Sequence, residues 1–322
     1  LTPGTIIRSE RDARFHMPPR KLDEVLRHFG AELERAHDAP SMLIVVAHQD
    51  DESIGAGAQL ARLPDVTVLH VTDGSPRDPA YVHRFGYSSA DEYGEARRRE
   101  AAEALRLAGV PAERQLCLNI PDGEAPYHLV ELSLTIAALL DELCPDVVLT
   151  HPYEGGHTDH DAIAFAVHLA CGILRREGVR IPMVLELTSY HNRNGRRVVH
   201  DFLPYDNALN TRTCQLSRAA RELKVRMYEC FSTQQKCLTQ FSVDIERFRP
   251  APRYIFTRPP HDGTLDYERL SRRMSYTEWR DQAQRALGQL RTRRRGKVSM
   301  QSMTVAAPST SSTADTQFVH AA

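Results

Sequence analysis

From Met42 onward, short apolar runs alternate with segments whose apolar residues recur at helical spacing. The run Met42-Leu-Ile-Val-Val-Ala47 predicts a buried strand, followed by a helix over Ile54 to Leu63, a strand over Val66 to Val71 and a long helix over Ala90 to Ala108. The pattern continues with a strand over Gln115 to Asn119, a helix over Leu129 to Leu143, a strand over Asp146 to Thr150, a helix over Asp159 to Arg175 and a strand over Met183 to Thr188. Strands apolar on both faces and separated by helices imply a mostly parallel sheet covered on both sides, a Rossmann-like three-layer α/β fold. In that architecture functional residues gather at the carboxyl ends of strands.

The flanks read differently. Residues 1–41 form a polar lead-in with a helix expected over Lys21 to Ala36, where Leu22, Val25, Leu26, Phe29 and Leu33 keep helical spacing. Beyond Ser189 the pattern loosens, with helices expected at Gln215 to Phe231, Tyr267 to Met274 and Thr277 to Leu290, the last running into the basic stretch Arg291 to Lys297. The main domain is thus expected over 42–298. The Ser-, Thr- and Ala-rich segment 299–322 lacks apolar periodicity and is expected to be disordered.

Composition narrows the partners. The 322 residues are 41% hydrophobic and 26% charged, as in an ordinary globular protein. Lys plus Arg number 41 against 42 for Asp plus Glu, so a formal net charge of -1 provides no global field for nucleic acid or an anionic membrane. No stretch approaches the roughly 18 apolar residues of a membrane span, and Arg8, Glu10, Arg11 and Asp12 stand where a signal peptide needs an apolar core, so a cytoplasmic location is expected. The six cysteines are scattered without a CxxC pair, as reduced structural thiols are.

Two polar clusters interrupt this pattern, each directly after a strand. The first, His48-Gln49-Asp50-Asp51-Glu52-Ser53, packs an imidazole and three consecutive carboxylates into a strand-end crevice, where their mutual repulsion calls for a cation or hydrogen-bond donors. Three residues apart, His48 and Asp51 can both be aimed inward by a tight turn while Asp50 faces another part of the cavity. Taken alone, Asp50, Asp51 and Ser53 serve equally well as caps of the following helix. The second cluster, His151-Pro-Tyr-Glu-Gly-Gly-His157-Thr-Asp159-His160, places three histidines and two acids around a glycine pair. His48, Asp51 and one histidine of this loop make an N and O ligand set with an open position, the catalytic rather than the structural kind of zinc site. Fe2+ or another divalent ion suits the same donors. A shared site requires His48 and His160 nitrogens within about 5 Å of each other, given metal–nitrogen bonds of about 2 Å.

Ala47-His-Gln-Asp-Asp-Glu52 and His157-Thr-Asp-His160 together resemble the signature of the PIG-L, or LmbE-like, zinc-dependent N-acetylglucosamine deacetylases, whose members usually read AHPDDE and HxDH. The likeness extends to Val71-Thr-Asp-Gly74, Arg97-Arg-Arg-Glu100 and Pro121-Asp-Gly123, and covers roughly residues 42 to 190. It implies an LmbE-like fold with Zn2+ on His48, Asp51 and His160. It further implies Asp50 as general base towards a metal-activated water, and His157 as the group that stabilises the oxyanion. Arg97 and Asp122 are implied to face sugar hydroxyls, although Arg97 also fits a solvated helix face and Asp122 an ordinary turn. Asp159 orients His157 through its carboxylate or merely caps its helix. Gln49 replaces the usual proline, which removes a rigid element from the turn.

The expected activity is removal of an N-acetyl group from an amino sugar or glycoconjugate. Hydrolysis of another amide uses the same residues. Two readings from other classes are a nucleotide-dependent oxidoreductase, suggested by Gly55-Ala-Gly57 after a strand, and a metal- or glycan-binding protein without turnover. The oxidoreductase fingerprint lacks its third glycine, and carboxylates stand where a pyrophosphate must approach. Glu52 and Ser53 read as caps, His151 as a supporting or structural histidine, and Tyr153 as packing before sugar stacking.

Overall fold

The computed structural model describes residues 20–205, 210–269 and 274–292. Five parallel strands, β1 (Met42–Val46), β2 (Val66–Thr72), β3 (Gln115–Ile120), β4 (Val147–Thr150) and β5 (Met183–Leu187), lie in the order β3-β2-β1-β4-β5. A separate hairpin of β6 (Tyr190–Arg193) and β7 (Arg196–Val199) follows, and β8 (Arg212–Gln215) and β9 (Ile245–Pro250) extend the sheet antiparallel beyond β5. The expected mostly parallel α/β architecture is what forms.

Alternation along β1 shows how the layers hold. Met42, Ile44 and Val46 face one apolar cluster, shared with the helices Asp51–Arg62, Ala90–Leu107 and Arg218–Cys230. Leu43 and Val45 face the other, shared with Leu129–Leu143, Thr158–Glu177 and Tyr276–Thr292. Each fully buried aliphatic side chain contributes about 1.5–3 kcal/mol, so both faces are firmly covered.

The chain leaves β1 to build β2 and β3 on one side, then returns to lay β4 on the other. This reversal opens a crevice beyond the carboxyl ends of β1 and β4, where a doubly wound sheet binds its ligand. Both polar clusters emerge there.

Several elements depart from expectation. The lead-in helix spans only Leu22–Leu26, because the backbone at Gly30 exchanges hydrogen bonds with the Gln59 amide (Gly30 N–H to Oε1, Nε2–H to Gly30 O, both 3.0 Å) instead of continuing a helix. Val25, Leu26 and Phe29 still pack into the first cluster. The helix after β1 begins at Asp51, not Ile54. Of the expected Tyr267–Met274 helix the described part is a short turn over Asp266–Arg269. The segment 299–322 and most of the basic stretch lie outside the described residues. All six cysteines are free, four of them buried. Among the described residues no helix is long and apolar enough to cross a membrane.

Candidate metal and acid-base site

Val45 of β1 pairs with Thr150 of β4, so both chains leave the sheet at one edge and carry the two clusters into one crevice. Asp51, the first residue of its helix, sits between imidazoles. Its Oδ2 accepts the His48 backbone N–H at 2.8 Å and lies 3.2 Å from His48 Nδ1, and its Oδ1 lies 3.3 Å from His160 Nε2. Donor nitrogens of His48, His157 and His160 all fall within 4.8 Å of one another, and so do donor atoms of Asp51, His151 and His160. His48 and His160 are thus within reach of a common ion.

His48 Nε2 faces Asp122 Oδ1 at 3.1 Å and Asp159 Oδ2 at 3.2 Å. Burial opposes charge on this ring, but Asp122, Asp159 and Asp51 outweigh it and hold the imidazolium pKa well above its ordinary value. The field that retains a proton there also favours a divalent cation. Asp51 is likewise penalised by burial, yet His160 and His151 hold its carboxyl well below the usual range, so it is ionised. His160 Nε2 is buried without a hydrogen bond of its own. Imidazole nitrogens, an ionised carboxylate and this orphaned nitrogen suit zinc and related ions.

Asp50 takes a different position. It stands at the N-cap with φ 155° and ψ −24°, an unusual conformation for a residue with a side chain, and makes no capping bond. Its Oδ2 lies 3.4 Å from Arg97 Nη2. Burial pushes its pKa up to about 7, with Arg97 opposing and Asp51 reinforcing the rise. Arg97 is 2% exposed rather than on a solvated helix face, and its Nε and Nη1 have no hydrogen-bond partner.

Two supports for this turn were not foreseen. Gln49 is fully buried and donates from Nε2 to Thr72 O at 2.7 Å, which fastens the turn where a proline would have stiffened it. Gly74 (φ 66°) makes room for it, since a Cβ there would stand 2.3 Å from Gln49 Oε1 and 2.8 Å from Arg97 Nε. Glu52 is more than a cap. Its Oε2 accepts the Asp50 N–H at 3.2 Å and meets His70 Nε2 at 2.9 Å, and its Oε1 accepts the Ser53 hydroxyl.

In the second loop, His157 Nδ1 accepts the backbone N–H of Asp159 at 3.2 Å. That bond fixes the neutral ring as the Nε2–H tautomer. The Asp159 carboxylate is therefore not the acceptor of a His157 proton: its Oδ2 stays 3.7 Å from Nδ1, which has no proton to give. The carboxylate instead accepts from Gly123 N–H (2.7 Å) and Ala125 N–H (3.1 Å), and so ties the Asp122 loop to the site. His151 stacks on His160 with ring centroids 3.9 Å apart, and its Nε2 accepts the Ala47 N–H at 3.1 Å. Burial and neighbouring His160 lower its pKa to about 4, in keeping with a neutral acceptor. Tyr153 is buried against Tyr254, Phe256 and Trp279 and donates to Arg258 O, so it is a packing residue.

Gly55 and Gly57 lie inside a helix, Gly55 against Leu187 and Gly57 against Lys224 and Met227, with no phosphate-binding loop between strand and helix.

Residues 43–171 match the model of the PIG-L family, described as GlcNAc-PI de-N-acetylase. Over 160 residues the chain is 31% identical to a 1D-myo-inositol 2-acetamido-2-deoxy-alpha-D-glucopyranoside deacetylase of Saccharomonospora viridis, covering 43% of this chain and 60% of that protein. It is 31% identical over 191 residues to a Kineococcus radiotolerans protein of the same name, covering 47% and 52%. The chain thus spans little more than half the length of these relatives. Among solved structures, A40926 pseudoaglycone deacetylase superposes with a TM-score of 0.51 at 22% identity, over 67% of this chain and 99% of that one. A deacetylase of the teicoplanin biosynthesis pathway gives 0.51 at 20%, with the same coverage. At such identities the likeness is one of fold.

All the residues from His48 to His160 named above lie within the matched segment 43–171. Beyond its end, Tyr190 of β6 places its ring 5.5 Å from that of His160, and Arg197 of β7 lies 4.6 Å over the Tyr190 ring. In the sequence the only local sign of this wall is Asn194-Gly195 between two short runs, a hairpin signal.

Proposed function

We propose that the chain is a zinc-dependent deacetylase that hydrolyses the N-acetyl group of an amino sugar or glycoconjugate, with His48, Asp51 and His160 holding the ion. The observation that carries this reading is the separation of neighbouring carboxylates: Asp51 lies between two imidazoles, whereas Asp50 joins none of the donor groups found among the described residues and meets Arg97. The similarity to proteins named for deacetylating a 2-acetamido-2-deoxy sugar supports the substrate class.

Amide hydrolysis needs a base for the attacking water, a donor for the developing oxyanion and a proton for the departing amine. When bound, the ion supplies a Lewis acid that acidifies water and polarises the carbonyl. Asp50, with its pKa near neutrality, accepts the proton of the attacking water and returns it to the amine. His157, with its hydrogen fixed on Nε2, donates to the oxyanion. The unpartnered Arg97 N–H groups and the Asp122 carboxylate offer a donor and an acceptor to sugar hydroxyls. Asp159 holds His157 by its backbone and the Asp122 loop by its carboxylate. Fe2+ would serve on the same donors.

The test is a panel of N-acetylated amino sugars, glycoconjugates and simple amides, assayed for acetate and free amine with and without chelator. Chelator-sensitive acetate release from amino sugars, restored by zinc, is expected. Release from simple amides alone would make the chain a different amidase, and full zinc loading without any hydrolysis would make it a binding protein.

A further inference from the structure

We infer that Lys224 and Glu246, remote in sequence from both motifs, are positioning residues that set the direction of the Asp50–Asp51 turn. The inference rests on the reading of that turn as part of a metal site. The Asp51–Arg62 helix is broken at Ala56, whose φ −146° and ψ 17° are not helical. In an unbroken helix the Ala58 N–H would bond to the Ile54 carbonyl. Here both of those groups are engaged by a buried ion pair instead. Ala58 N–H donates to Glu246 Oε1 at 2.9 Å, Ile54 O accepts from Lys224 Nζ at 2.8 Å, and Nζ and Oε1 meet at 3.0 Å. Glu246 Oε2 takes the Gln59 amide at 2.9 Å, so both charges are paired and hydrogen-bonded although both side chains are 0% exposed.

A side chain inserted into the helical ladder is a recognised cause of a kink. A buried ion pair is an expensive way to achieve cohesion, since apolar residues of similar volume commonly serve stability as well. Its distinctive effect here is directional. The first turn, Asp51 to Gly55, is aimed separately from the rest of the helix, and Lys224 holds its lower end. Ile54 transmits the hold, because its N–H donates to Asp50 O at 2.8 Å while its own carbonyl is gripped by Lys224. The link therefore runs in two hydrogen bonds from the lysine to the backbone of Asp50. His160, on the Thr158–Glu177 helix, is not carried by this element, so a change in the kink alters the placement of Asp50 and Asp51 relative to His160. Gly55 sits tightly on Leu187, where a Cβ would lie 2.6 Å from Cδ1, and that contact leaves the turn little room to adjust on its own.

The informative variant is Lys224→Met with Glu246→Gln, which removes both charges without stranding one. Its crystal structure, thermal unfolding, zinc affinity by competition with a chromophoric chelator, and kcat and KM should be measured beside the wild type. A folded protein is expected in which the Ala58–Ile54 bond closes, zinc binds about 10–100-fold more weakly, as for other groups that orient ligands, and kcat falls while KM changes little. The neutral pair Lys224→Gln with Glu246→Gln retains a side-chain donor and an acceptor for Ala58 N–H without stranding a charge, and should keep both the kink and near wild-type zinc affinity. It is also the deciding variant if the one with Lys224→Met fails to fold: zinc binding as weak as in a His160→Ala protein, with the kink intact, overturns the inference. So does a Lys224→Met, Glu246→Gln protein that loses the kink yet binds zinc and turns over like the wild type. A wild-type chain that binds no zinc at His48, Asp51 and His160 overturns the reading of the site, and the positioning role with it, while the structure of the Lys224→Met, Glu246→Gln protein still decides whether the pair makes the kink.

Discussion

The backbone N–H of Asp159 donates to Nδ1 of His157 at 3.2 Å, which leaves the imidazole its hydrogen on Nε2. Replacing His157 with Ala should lower kcat by about 10²–10³-fold, the usual loss of an oxyanion donor, with zinc content unchanged. Asp159→Asn keeps the backbone donor, so His157 retains its tautomer, while the contacts to Gly123 and Ala125 weaken. Its effect should fall more on KM than on kcat. A kcat loss in Asp159→Asn equal to that of His157→Ala would show that the carboxylate, not the amide, sets the ring.

His160→Ala removes a proposed ligand, and metal occupancy and activity should fall together. Asp50→Asn keeps size and shape without the base. Metal analysis of the purified protein should find zinc retained while turnover drops about 10²–10⁴-fold. Loss of zinc from Asp50→Asn would make Asp50 a ligand and leave the base unassigned.

Arg97 opposes the rise of the Asp50 pKa, which burial drives to about 7. A base works ionised, so kcat/KM should rise with pH through an acid limb, and a nearby bound cation pulls that limb below 7. Arg97→Met removes the opposing charge, so the limb should move to higher pH. The pH–rate profile of the two proteins decides it, and an unmoved limb separates Arg97 from the base.

The buried carboxyls of Asp50 and Glu186 should cost the metal-free protein stability as pH rises from the ordinary carboxylate range through about 7. Asp50 and Glu186, both raised to about 7 by burial, are protonated more readily in the folded than in the unfolded chain. Their contribution is full below the ordinary carboxylate pKa and is lost as pH rises through about 7. The raised pKa of His48 acts in the same direction. The lowered one of Asp51 changes only at more acid pH. Zinc neutralises the crowded carboxylates, so it should raise the Tm more at pH 8 than at pH 6. Scanning calorimetry of chelated and loaded protein would show an equal gain at both values if this account of the charges is wrong.

Much of the architecture could be read from residue order, because parallel strands buried on both faces are continuous apolar runs such as Met42 to Ala47. β9 escaped the same reading. Its sequence Ile-Glu-Arg-Phe-Arg-Pro is half charged, and the charges are satisfied only in three dimensions, Arg249 by Glu186 (2.8 Å) and Glu154 (3.0 Å) and Glu246 by Lys224 (3.0 Å). The candidate site was legible where its residues lie close in sequence, as in His48 to Asp51 and His157 to His160. The Arg97–Asp50 contact and the ion pair at Ala56 join residues far apart in the chain, and no local pattern records them.

Gly156 lies so close to the hairpin that a Cβ there would stand 2.1 Å from the Tyr190 carbonyl oxygen. The loop that bears His157 and the root of the β6–β7 wall are consequently pinned at one point, and neither can drift without the other. The far end of the hairpin, around Asn194 and Gly195, is exposed and bears none of these constraints.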